Sequence, residues 1–159
     1  MRSSPDSSRA RSEINFLCGT VEVLLKVLIV DDNASVRRLI RRVLPALAGE
    51  IFECANGADA LIAYQAHRPD VVLMDIRMDE MDGIQATERI RAVDQGARIL
   101  IVTDYDDEEL RRAAKRAGAC GYVMKYNLLA LDQLLEAMEQ ALRERRAGST
   151  EHGCPDPNN

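Results

Sequence analysis

The chain has 159 residues, 47% of them apolar, no Trp and a formal net charge of −5, which is enough for one domain with a core of ordinary size. The acidic balance argues against a sequence-independent nucleic-acid binder, whose affinity comes from Lys and Arg clustered on phosphates. No apolar run is long enough to span a bilayer, and the most apolar early segment, 16–25, is broken by Gly19, Thr20 and Glu22 and lacks a good signal-peptide cleavage pattern. The chain therefore reads as cytoplasmic.

Residues 1–12 are rich in Ser and Arg and offer almost nothing to bury, so a disordered leader is expected there, with the ordered domain beginning only after residue 25. KVLIVD (26–31) is a continuous β-branched run, as in a strand covered on both faces. Asn33 is a plausible helix cap, and Val36, Leu39, Ile40, Val43 and Leu44 supply the apolar positions of the helix that follows, which Pro45 and Gly49 weaken or end. The alternation then repeats: strand 50–55, helix 58–67, strand 70–75, helix 84–93, strand 97–103. In DDEELRRAAKRAG, acids occupy the first turn, bases the last, and Gly118 the stop, as the helix dipole and C-cap preferences require. Strand 120–125 and an amphipathic helix from about 129 to 146 complete five βα units, leaving 147–159 as a polar tail. The expected fold is α/β: a doubly wound, five-stranded parallel sheet.

Cys18, Cys54, Cys120 and Cys154 form no CxxC pair, and two of them lie in apolar strand-like runs; buried thiols in a reducing compartment are expected rather than disulfides or zinc. The only histidines, His67 and His152, lie far apart in sequence and give a Ser-His-Asp arrangement or a metal site little to draw on. The pairs Arg37-Arg38 and Arg41-Arg42 and the run 143–146 read as solvated helix faces.

In a doubly wound sheet, ligands bind outside the carboxyl ends of the strands. Asp31 and Asp32 end the first strand, Asp75 the third, Thr103 the fourth and Lys125 the fifth, so residues distant in sequence converge on one edge, while Asp79, Glu80 and Asp82 lie in the loop beyond. Two carboxylates ~4 Å apart repel by about 4 kcal/mol at an effective dielectric near 20, so a cation is expected among them. Oxygen-only ligands suit Mg²⁺. A carboxylate nucleophile, a divalent cation, an ammonium and a hydroxyl together are what phosphoryl transfer to an aspartate needs; Asp75 is the reacting acid.

LIVDD (28–32), LMD and MDG (73–83), IVT (101–103) and GYVMK (121–125) together resemble the receiver domain of two-component response regulators, over roughly residues 26–146. The resemblance implies a flavodoxin-like (βα)5 fold with strand order 2-1-3-4-5. It implies phosphoryl transfer to Asp75 from a sensor histidine kinase or a phosphotransfer protein. Mg²⁺ would be bound by Asp32, Asp75 and the backbone carbonyl of Arg77, with Asp31 helping through water. Lys125 would contact the phosphoryl oxygens, Thr103 would move toward them, and Tyr122 would change rotamer on the fourth-helix to fifth-helix face. That face would reach a downstream protein of unknown identity and is one through which a homodimer could form. Such a domain is a phosphoacceptor, not an enzyme in the ordinary sense.

Several positions depart from the family pattern. Asp79 and Tyr126 stand where Pro is usual, and Asp104 stands where a small residue borders the site. Arg77 and Tyr105 are expected to shield the aspartyl phosphate from water. A haloacid-dehalogenase-type phosphatase needs an acid two positions after the nucleophile, where this chain has Arg77. An interaction module that works without phosphorylation stays open because of Asp104, as does a receiver fragment of a longer DNA-binding regulator.

Overall fold

The structure is a computed structural model and describes residues 24–44 and 48–148. The leader expected over 1–25 and the tail expected over 147–159 lie outside the described residues, except for 24–25 and 147–148. The elements alternate as β1 (Leu25–Val30), α1 (Ala34–Val43), β2 (Ala48–Cys54), α2 (Gly57–His67), β3 (Val71–Met74), α3 (Gly83–Val93), β4 (Ile99–Thr103), α4 (Glu108–Ala117), β5 (Gly121–Met124) and α5 (Leu128–Gly148). The first strand thus takes in Leu25, and the last helix runs two residues beyond 146. All pairings are parallel, in the order β2-β1-β3-β4-β5, as the sequence leads one to expect.

The period of two along each central strand splits the core. Leu28, Val30, Val72, Met74, Ile99 and Ile101 face α2, α3 and α4, where they meet Ala60, Tyr64, Ala86, Ile90 and Ala114. Val27, Ile29, Val71, Leu73, Leu100 and Val102 face the other way, onto Ile40 and Leu44 of the α1 region and Leu131, Leu135 and Leu142 of α5. Every residue of β3 and β4 is buried, which is why these runs carry no polar alternation; each such aliphatic side chain contributes about 1.5–3 kcal/mol by leaving water.

Side chains in the turns set the helix starts. Asn33, Asn56, Asp82 and Asp107 each accept from backbone N–H groups of the first turn, using donors that the helix cannot satisfy internally. Two expectations need correction. Leu39, counted among the core positions of α1, is 49% exposed, because the helix turns only Ile40 and the half-buried Val36 toward the sheet. Cys120 is exposed and Cys54 only half-buried: β5 begins one residue later than expected, so Cys120 precedes the strand, its backbone N–H and its thiol both directed at the Ile99 carbonyl (2.8 and 3.2 Å). Cys18 and Cys154 lie outside the described residues.

The strand ladder runs on into the loops. Beyond the last strand residues, Asp31 N–H donates to the Cys54 carbonyl (3.2 Å), Asp75 N–H to Val30 (2.8 Å) and Lys125 N–H to Thr103 (2.9 Å). The loop after Asp75 folds back on itself through Met81 N–H to the Asp79 carbonyl and Gly83 N–H to the Ile76 carbonyl, both 2.8 Å, with Glu80 in the left-handed region at φ 68°. These ties stand where a proline would otherwise stiffen the loop. Gly83 closes it: a Cβ there would lie 1.8 Å from the Asp75 carbonyl oxygen. Gly83→Ala is therefore expected to push the loop off Asp75 and cost about 1–3 kcal/mol, read as a lower denaturant midpoint; an unchanged midpoint would contradict the close approach.

Candidate functional site

Asp31 and Asp75 sit at the ends of adjacent strands and are held in the same way. Each gives one carboxylate oxygen to a backbone N–H of its own turn: Asp31 Oδ1 accepts from Asn33 (2.8 Å) and Asp75 Oδ1 from Ile76 (2.8 Å). That leaves each Oδ2 pointed at Lys125, whose Nζ lies 2.6 Å from Asp31 and 3.1 Å from Asp75. The enclosed Oδ2 of Asp31 has the Lys125 ammonium as its compensating charge. Asp104 approaches the same ammonium from the cleft mouth at 3.8 Å, two-thirds exposed. Asp32 is exposed, and one oxygen from each of Asp31, Asp32 and Asp75 falls within 4.8 Å of the others.

Three carboxylates thus face one ammonium, with Asp32 beside them. Asp75 shows the cost of being buried among them. Burial pushes its pKa up, and neighbouring Asp31 adds to this; attraction to Lys125 and the N–H of Ile76 offset only part of the rise. Lys125 moves in the complementary direction. Burial disfavours its ammonium, but the contacts with Asp31 and Asp75 outweigh burial and hold its pKa above the usual lysine value. Three hard oxygens this close together match Mg²⁺ better than a softer metal.

The rim is built from the loops after β3 and β4. These residues line an open cleft of about 710 Å³ that includes Asp32, Asp75, Arg77, Asp104, Tyr105 and Lys125. The Arg77 guanidinium stacks over the Tyr105 ring at 4.3 Å, joining the two loops across the mouth. Thr103 is fully buried at the strand end, and its hydroxyl accepts from Tyr105 N–H at 3.4 Å. Tyr122 lies one strand further out; its hydroxyl donates to the Tyr105 carbonyl (2.6 Å) and its ring lies 4.5 Å under the Arg111 guanidinium. Asp79 and Glu80 are exposed, whereas Asp82 caps α3 through bonds from Ile84 and Gln85 N–H.

The sequence positions at the strand ends therefore meet: Asp32, Asp75, Asp104 and Lys125 line one cleft, with Asp31 buried against Lys125 and Thr103 and Tyr122 behind the β4 loop. What sequence reasoning missed is Arg37. Assigned to a solvated helix face, it instead donates to the carbonyl oxygens of Asp31 (2.6 Å) and Asp32 (3.4 Å). Its position in the first turn after the acid pair was the available signal, but spacing alone does not say that a long side chain folds back.

Comparison with known proteins agrees with this geometry. Residues 27–139 match the family model described as the response regulator receiver domain. The chain is 38% identical over 118 residues to the chemotaxis protein CheY of Bacillus subtilis, covering 74% of this chain and 97% of that one. It is 32% identical over 117 residues to sporulation initiation phosphotransferase F of the same organism, covering 74% and 93%. Among solved structures, it superposes on the CheX–CheY–BeF3–Mg²⁺ complex from Borrelia burgdorferi with a TM-score of 0.62 and 28% identity, covering 66% of this chain and 84% of that one.

The charge stress at Asp75 has a measurable consequence. A carboxyl whose pKa is raised in the folded state favours folding only while protonated, and that advantage is lost as pH rises from the unfolded value through the folded one. Asp75→Asn removes the penalised charge, so without divalent metal it is expected to melt a few degrees above wild type at pH 7. The gap should close toward pH 4; a variant less stable than wild type at pH 7 would contradict the stress.

Proposed function

Because the chain belongs to the receiver domain family of two-component response regulators, we propose that Asp75 is its phosphoacceptor, loaded from the phosphohistidine of a sensor histidine kinase or a phosphotransfer protein. The observation that carries this reading is the convergence of Asp75 with Lys125 at 3.1 Å inside a cluster of carboxylates at the ends of β1 and β3. An oxygen of Asp75 forms the bond to phosphorus as the bond to the donor's imidazole nitrogen breaks. Lys125, only 11% exposed, then turns from the two carboxylates to the phosphoryl oxygens, and the buried hydroxyl of Thr103 donates to another.

Asp31, Asp32, Asp75 and the backbone carbonyl of Arg77 are the groups that would hold Mg²⁺, with Asp31 acting through water. When bound, this ion supplies positive charge for the transferring phosphoryl group. The protein's part is to keep the acid oxygens close together and one ammonium beside them.

Signalling follows from the loop after β4. Thr103, Asp104 and Tyr105 share that loop, and Tyr105 is bonded to Tyr122 through its carbonyl, so a pull on Thr103 moves the acceptor of the Tyr122 hydroxyl and changes the face of α4, β5 and α5. A population shift on that face would recruit a downstream protein or a second copy of this chain. The proposal takes 26–146 as the receiver, a cytoplasmic location and no direct contact with nucleic acid. Among the described residues, no helix is long and apolar enough to cross a membrane. One observation favours a second reading, an interaction module that is not phosphorylated: Asp104 reaches Lys125 at 3.8 Å and adds an anion where phosphodonors must enter.

Intact-mass measurement after incubation with a phosphohistidine donor and Mg²⁺ separates the two. Wild type is expected to gain one phosphoryl group and Asp75→Asn none; an unmodified wild type supports the interaction module. The lifetime of the product is a separate expectation. Arg77 and Tyr105, stacked across the mouth, obstruct in-line attack by water, so Arg77→Asn combined with Tyr105→Glu should speed hydrolysis by at least about tenfold, a barrier change near 1.4 kcal/mol. Equal decay in the two proteins, at fixed Mg²⁺ and pH, would remove the shielding.

A further inference from the structure

The acid pair is held from behind by a side chain outside the cleft lining. The Arg37 guanidinium donates through one terminal nitrogen to the Asp31 carbonyl (2.6 Å) and, more weakly, to the Asp32 carbonyl (3.4 Å), while its Nε donates to Glu53 Oε2 (3.1 Å). Glu53 is itself held, its other oxygen accepting from Arg41 at 3.1 Å. Arg37 is 17% exposed, unlike the solvated ion pairs that contribute little. The peptide it grips joins Asp31 to Asp32, so rotation of that peptide would swing both carboxylates. At its other end, Asp31 N–H is tied to the Cys54 carbonyl, the residue after Glu53. The end of β2 therefore holds the acid turn twice, once through backbone and once through the Arg37–Glu53 pair.

We infer that Arg37 is a positioning residue of the cation site: its planar fork, braced by Glu53, fixes the Asp31–Asp32 peptide and with it the oxygens that receive the ion. This rests on the reading of those acids as a divalent-cation site. Charge and position have opposite signs here, and that makes the inference testable. A guanidinium near a cation site repels the cation, so if Arg37 acted only as a charge, removing it would tighten binding. If it holds the acids in place, removing it weakens binding, as losing a group that orients metal ligands does.

The experiment is a calorimetric Mg²⁺ titration of the unphosphorylated full chain, with a melting curve of each metal-free protein beside it. Arg37→Gln is expected to bind Mg²⁺ about tenfold more weakly than wild type. Arg37→Lys keeps the charge but cannot reach a carbonyl and Glu53 with one planar fork, so it should reproduce most of the loss, and it serves if the Gln variant does not fold. Arg41→Gln, which shares Glu53 but touches neither carbonyl, should stay within about twofold, as expected of a largely exposed pair. Affinity unchanged or tightened in the Arg37 variants, or weakened equally in Arg41→Gln, overturns the positioning role while leaving the cation site intact. A wild type that takes up no Mg²⁺ overturns the cation site itself, and the inference with it.

Discussion

One ammonium is shared among three carboxylates: Lys125 Nζ lies 2.6 Å from Asp31, 3.1 Å from Asp75 and 3.8 Å from Asp104, with Asp32 close behind. Lysine carries a compact charge on a flexible stem, so one ammonium can face several acids at once. It cannot neutralise all of them. At Asp75, burial raises the pKa and neighbouring Asp31 adds to it, and Lys125 offsets only part of the rise. Hard carboxylate oxygens this close together suit a divalent cation better than a softer metal.

The sheet makes this crowding tolerable. Asp31, Asp75 and Lys125 each extend a strand by one further ladder hydrogen bond, so their backbones are fixed by the same pairing that buries β3 and β4. Repulsion between the acids cannot be relieved by moving one strand end without breaking that ladder and exposing residues such as Leu73 and Ile101, which are about 1% exposed or less. The β4–α4 loop lacks such restraint. Asp104 and Tyr105 are exposed, held mainly by the Arg77 stack and by the Tyr122 and Thr103 contacts, and this segment links the acid cluster to Tyr122 on β5.

Much of this was legible in the residues. Unbroken aliphatic runs such as VVLM and ILIVT announce strands buried on both faces, and the residue after each run is placed at the carboxyl edge of the sheet whatever its neighbours are; that is why Asp75 and Lys125 could be paired across fifty positions of sequence. Other features depend on where a long or small side chain turns in space. Leu39 and Ile40 are indistinguishable by hydropathy, and only the helix orientation buries one and exposes the other. Asp82 reads as one more solvated loop acid beside Asp79 and Glu80 until its bonds from Ile84 and Gln85 N–H make it a helix cap. Arg37 reads as one of several surface arginines, since nothing in the sequence says that it folds back onto the carbonyls of Asp31 and Asp32.

Asp75 is a buried carboxylate that Lys125 compensates only in part, and a divalent cation would relieve it further. Carboxyl carbon chemical shifts of Asp75, followed through a pH titration with and without Mg²⁺, test it directly. Titration above the ordinary aspartate value is expected in metal-free protein, and a lower titration once Mg²⁺ is added, because the ion favours the charged form. Titration at or below the ordinary value without metal, or a curve that Mg²⁺ does not move, would contradict it.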